Sequence, residues 1–76
     1  MISLVRVSDG WLVSYLRDNE KMNRKFTVIE PAADFMIELG VDTDEIDDAL
    51  IALYTETSLR RANFNKDGKL FSTDII

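Results

Sequence analysis

The apolar positions in the first thirty residues fall in short runs that read as β-structure. Ile2 to Val7 and Trp11 to Leu16 are rich in β-branched and aromatic residues, and Asp9-Gly10 stands between them. An Asp-Gly pair favours a type I′ turn, which needs positive φ at both central residues, so the two runs predict a hairpin. Turning on Asp9-Gly10 pairs Ser8 with Trp11, Arg6 with Val13 and Leu4 with Tyr15. One face then carries Leu4, Trp11, Val13 and Tyr15, and the other Val5, Val7, Leu12 and Leu16. Two apolar faces call for cover on both sides, from helices on one and from something else on the other. Arg17 to Arg24 reads as a polar connector, leading into a third strand from Lys25 to Glu30.

From Pro31 the period changes to that of a helix. Ala32, Phe35, Met36 and Leu39 fall on one face, with Gly40 placed as a left-handed cap after them. Asp42 is suited to cap a second helix, with Glu45 reaching back as in a capping box. That helix should run from about Thr43 to about Thr57, burying Ile46, Ala49, Leu50, Leu53 and Tyr54. In the tail, Asp67-Gly68 predicts a second tight turn, pairing Phe64 with Phe71. The order is βββααββ: one α+β domain over residues 1–76, an antiparallel sheet of three to five strands with two short helices packed on one face.

Composition supports a single small core, with 46% hydrophobic and 9% aromatic residues in 76. Cysteine and histidine are both absent, which excludes disulfides, thiolate or imidazole zinc sites, and Ser-His or Cys-His nucleophiles. Arg6 and Asp9 interrupt the N-terminal apolar run, unlike a signal peptide, and no uncharged run is long enough to span a bilayer. A soluble cytoplasmic protein is the expectation, with no membrane contact and no cofactor.

Charge alters the picture more than composition does. Glu30, Asp34, Glu38, Asp42, Asp44, Glu45, Asp47, Asp48 and Glu56 lie in a stretch, Phe26 to Leu59, that contains no lysine or arginine. That stretch carries −9, while residues 1–25 and 60–76 carry +2 each, giving the net charge of −5. Polarisation of this kind acts on partner choice and association rather than on fold.

Leu39-Gly40-Val41 between two short helices, with Met36, Ile46 and Ala49 around it, resembles the turn of a helix-turn-helix DNA-binding unit. That resemblance implies a second helix opening on basic or amide side chains. Asp42, Asp44, Glu45, Asp47 and Asp48 stand there instead, and five carboxylates repel phosphate. The pair therefore has the shape without the chemistry, and no direct nucleic-acid binding is expected.

Residues 63–74 resemble the calcium loop of EF-hands, and more closely that of dockerin modules. The resemblance implies oxygen ligands from Asn63, Asn65, Asp67, the Lys69 carbonyl and Asp74, with Gly68 at the sharp turn and Leu70 as the apolar pin. Asn in place of the first Asp and Asp in place of the last Glu depart from that pattern, and a plain β-hairpin is the competing reading. Arg17, Lys21, Arg24 and Lys25 form a basic cluster interleaved with Asp18 and Glu20 and without alternating aromatic residues, as in a solvated loop. Asp44 and Asp48, at i and i+4, could serve acid–base chemistry only in a cleft that separates their pKa values, which nothing here suggests.

Projected on a helical wheel, Ile51 falls away from the buried stripe, among Asp44, Asp47, Asp48 and Thr55. Ile37 is similarly displaced to the side of Asp34. An apolar residue ringed by carboxylates is the pattern of an interface anchor with a charged rim. The expected function is a non-enzymatic protein-binding module that engages a basic, nucleic-acid-handling protein through Asp34, Ile37, Glu38, Asp44, Asp47, Asp48 and Ile51. In size and charge the chain resembles the small acidic inhibitors of mobile elements. Two alternatives stand beside this: self-association into a homodimer through the apolar hairpin face or an open sheet edge, and weak calcium binding at 63–74.

Overall fold

A computed structural model describes residues 1–75. Five strands form one antiparallel sheet, β1 (Ile2–Val7), β2 (Gly10–Arg17), β3 (Glu20–Phe26), β4 (Arg61–Phe64) and β5 (Leu70–Asp74), in the order β3-β2-β1-β4-β5. Two helices, α1 (Ile29–Glu38) and α2 (Thr43–Thr55), separate β3 from β4. The fold is therefore α+β with the order βββααββ, as the sequence pattern predicts. The helices cover one face of the sheet. α1 lies on β2 and β3, α2 on β4 and β5, and the core between the layers is built on Leu4, Trp11, Val13, Tyr15, Phe35, Met36, Ile46, Leu53 and Phe64.

The first hairpin differs in register from the expectation. Arg6 pairs with Trp11 and Leu4 with Val13, so the turn is Ser8-Asp9 rather than Asp9-Gly10. A shift that moves each pairing by two residues leaves the side-chain faces unchanged, so the expected division of the faces holds. Gly10 takes a φ of +152° and lies where an added Cβ would run into the carbonyl of Phe26. Its missing side chain thus serves a close approach to the end of β3 rather than the turn.

The segment expected as a connector is instead a second hairpin. Asp18 and Asn19 have φ of +52° and +67°, the type I′ combination, and β3 begins directly at Glu20. The basic cluster is therefore on strands, with Lys21, Arg24 and Lys25 on an outer one. Charged side chains along an outer strand discourage pairing with another chain. Arg24 lies on the helix-side face, its guanidinium 4.7 Å from the centre of the Phe35 ring and 5.3 Å from that of Phe26.

α1 starts at Ile29, with Pro31 inside the first turn, where its lack of an N–H leaves no helical bond unmade. It ends in a Schellman turn. The Gly40 N–H donates to the Ile37 carbonyl and the Val41 N–H to the Met36 carbonyl, with Gly40 at φ +102° and Val41 buried.

α2 does not close with the expected capping box. Among the described residues no side chain caps its first N–H groups. Asp42 instead accepts from Lys69 Nζ at 2.5 Å, and Glu45 Oε1 accepts from the Leu70 N–H at 2.7 Å. The Asp42 N–H donates to the Gly68 carbonyl at 3.0 Å, so the β4–β5 turn sits against the start of the helix. At the other end, the Arg6 guanidinium donates to the carbonyls of Leu53 and Leu59, placing a cation on the negative pole of α2.

The tail hairpin is also paired differently. Asn63 opposes Ser72 and Phe64 opposes Leu70, so Phe71 is the extra residue of a β-bulge and is 64% exposed. Both outer strands are thus guarded, β3 by charge and β5 by a bulge. This speaks against association through a sheet edge.

Candidate functional site

All seven residues of the expected binding surface, Asp34, Ile37, Glu38, Asp44, Asp47, Asp48 and Ile51, are exposed. They do not form one group. Asp34, Ile37 and Glu38 ride on α1 over β2 and β3, while Asp44, Asp47, Asp48 and Ile51 ride on α2 over β4 and β5. The α2 set is the better developed. Ile51, 61% exposed, shares a shallow open depression with Asp47, Leu50, Tyr54 and Thr55.

Tyr54 was expected in the buried stripe but is 56% exposed. Its ring meets the buried Trp11 edge-on, with centroids 6.0 Å apart. Leu50 is half-buried, so Leu50, Tyr54 and Ile51 form an apolar strip that runs from the core edge onto the surface. At 100° per residue these three span one continuous arc that also takes in Asp47. Wheel position alone places Tyr54 near the stripe, and its ring reaches toward Trp11 of β2 while staying open to solvent.

Among the described residues Asp44, Asp47 and Asp48 around the strip form no ion pair, although Lys69 lies near enough to Asp44 to feel its charge. Among the described residues the ion-paired acids are Asp9 (with Lys25), Asp42 (with Lys69) and Asp74 (with Arg61), none of them on this surface. No lysine or arginine lies on α2 itself.

The residues of the calcium-type loop have other partners. Asn63 is buried, accepts from Ser3 Oγ at 2.8 Å and donates to Ser72 Oγ and to Asp74 Oδ2. Asn65 Oδ1 accepts from the N–H groups of Asp67 and Lys69, an Asx-type turn, while the Lys69 carbonyl accepts from the Asn65 N–H. Asp74 is gripped by Arg61 through Nε and Nη2, at 3.0 and 2.9 Å. Hydrogen bonding from Asn63, then from Arg61, holds its carboxyl below the ordinary aspartate value. Four of the five ligand groups thus have internal partners, and the segment is the β4–β5 hairpin. Among the described residues no cluster of three or more carboxylates is placed to hold a metal ion.

The helix pair likewise departs from a DNA-reading unit, since each helix packs chiefly on the sheet rather than on its neighbour. The 66–70 turn is hydrogen-bonded against the start of α2, the end that such a unit would present to a groove. Among the described residues no helix is long and apolar enough to cross a membrane. Comparison with protein-family models, with curated proteins and with solved structures finds no match.

Proposed function

We propose that this chain is a non-enzymatic binding module, an acidic inhibitor or regulator that docks through α2 onto the basic surface of a nucleic-acid-handling protein. The observation that carries this reading is the Leu50–Ile51–Tyr54 strip, with Ile51 and Tyr54 exposed, bordered by Asp44, Asp47 and Asp48, which have no ion-pair partner among the described residues. An apolar anchor inside a rim of one sign is suited to a partner whose own site is positive, and carboxylates so arrayed can compete with phosphate for it. Asp34, Ile37 and Glu38 on α1 extend the negative field and steer approach rather than anchor it.

The test is capture from the native host with the wild-type chain and with Asp47→Lys/Asp48→Lys and Ile51→Ser variants. The captured protein is then assayed for DNA or RNA binding with and without the chain. Wild type should retain a basic protein and displace its nucleic acid, more strongly at low salt than at high salt. Charge reversal should weaken retention at least tenfold, as expected for a complex whose on-rate and orientation depend on charge. Equal retention by the reversed variant, or a captured protein that still binds its nucleic acid, would exclude the proposal.

A further inference from the structure

The sheet face turned away from the helices has its own organisation. The strand registers place Asn23, Ser14, Ser3, Asn63 and Ser72 in one row across all five strands. The adjacent row is Lys25, Leu12, Val5, Arg61 and Asp74. Val7 and Leu16 share this face by alternation, and Leu16 is 57% exposed. An antiparallel sheet with one wet face normally alternates apolar inside and polar outside, and here the central strands put Val5, Val7, Leu12 and Leu16 on the outside.

We propose that this open face is the contact surface for a second copy of the chain, packed sheet to sheet about a two-fold axis running along β1. Charge selects both the occupant and the axis. The unpaired acids Asp34, Glu38, Asp44, Asp47 and Asp48 all lie on the helices, so joining the open faces keeps them on opposite outer layers. A two-fold axis along β1, the middle strand, lays β3 of each copy over β5 of the other. It brings Lys25 opposite the second copy's Asp74 and Val5 opposite its own equivalent. A two-fold axis across the strands would instead set the row of Lys25 over the row of Lys21, like charge on like.

The polar row is prepared for burial. Ser14 Oγ donates to Asn23 Oδ1, Ser3 Oγ to Asn63 Oδ1 and Asn63 Nδ2 to Ser72 Oγ, while Arg61 is already held by Asp74. Polar groups partnered before association are desolvated at a smaller cost. Five strands about 4.8 Å apart and about 20 Å long offer roughly 480 Å² per copy, so about 1,000 Å² in total, the lower limit of a specific interface. The contact is therefore a reversible one.

Sedimentation equilibrium over a wide concentration range tests this. Wild type should move from monomer to dimer mass with rising concentration, Val5→Glu should stay monomeric, and Ile51→Ser on the helix layer should dimerise as wild type. Lys25→Glu, an exposed substitution, should weaken the dimer roughly tenfold by facing Asp74. Mixing it with Asp74→Lys should restore a heterodimer, a rescue that a merely unfolded variant would not give. A wild-type chain that stays monomeric at every concentration overturns the proposal. So does a dimer that survives Val5→Glu and Lys25→Glu, or one that Ile51→Ser abolishes.

Discussion

Gly68 answers two demands at one position. Its φ is +81°, in the left-handed region, and a Cβ on it would press into the carbonyl of Gly40 beside the start of α2. Gly68→Ala should therefore cost roughly 2–3 kcal/mol, read as a lower urea midpoint with an unchanged slope. The glycine was legible as a turn residue, but not the contact, because Gly40 lies in another element. Asp42 and Glu45 show the same boundary. Read locally they compose a capping box, whereas the groups they bind, Lys69 and Leu70, are 27 and 25 residues further on. A rule about neighbours in sequence cannot see a competitor that arrives through the fold.

Among the elements, the β2–β3 hairpin offers the cleanest test of local chemistry. Asn19 holds φ +67° in a type I′ turn, a position where glycine is unstrained and a β-branched residue is not. Asn19→Gly should raise stability by about 0.5–1 kcal/mol and Asn19→Val should lower it, as measured by thermal unfolding. The helices are readable from their periodic apolar stripes, and the first two strands from β-branched and aromatic residues on either side of a turn pair. β3 is not. Its sequence, Glu-Lys-Met-Asn-Arg-Lys-Phe, is largely exposed, and Asp18-Asn19 was the only mark of its beginning. An outer strand that must repel other chains carries the composition of a loop. The Ile51 site is partly legible, since the wheel isolates that residue, but Tyr54 falls in the wheel's apolar stripe because helical periodicity does not show which flank of a stripe the fold leaves open.

On the scale of the whole molecule the unpaired acids Asp34, Glu38, Asp44, Asp47 and Asp48 lie on the helices, while the pairs Lys25–Asp9 and Arg61–Asp74 lie at the sheet. Lacking histidine, the chain should keep a level stability from about pH 6 to about pH 8. Asp9, through its hydrogen bond and attraction to Lys25, and Asp74, through Asn63 and Arg61, both have carboxyls lowered below the ordinary value. A lowered folded-state pKa stabilises above the unfolded value, and that stabilisation disappears as pH falls through the folded one. The melting temperature should drop below about pH 4, and Asp74→Asn should reduce the size of that drop.

The position of β1 also sets the tempo of folding. It pairs on one side with β2, its neighbour in the chain, and on the other with β4, where Ile2 meets Phe64. The two N-terminal hairpins need only local turns to form, whereas the β1–β4 seam must close a loop spanning both helices. Loop closure of that length should be the slow event, so pulse-labelled hydrogen exchange should protect the amides of the first two hairpins before those of β4.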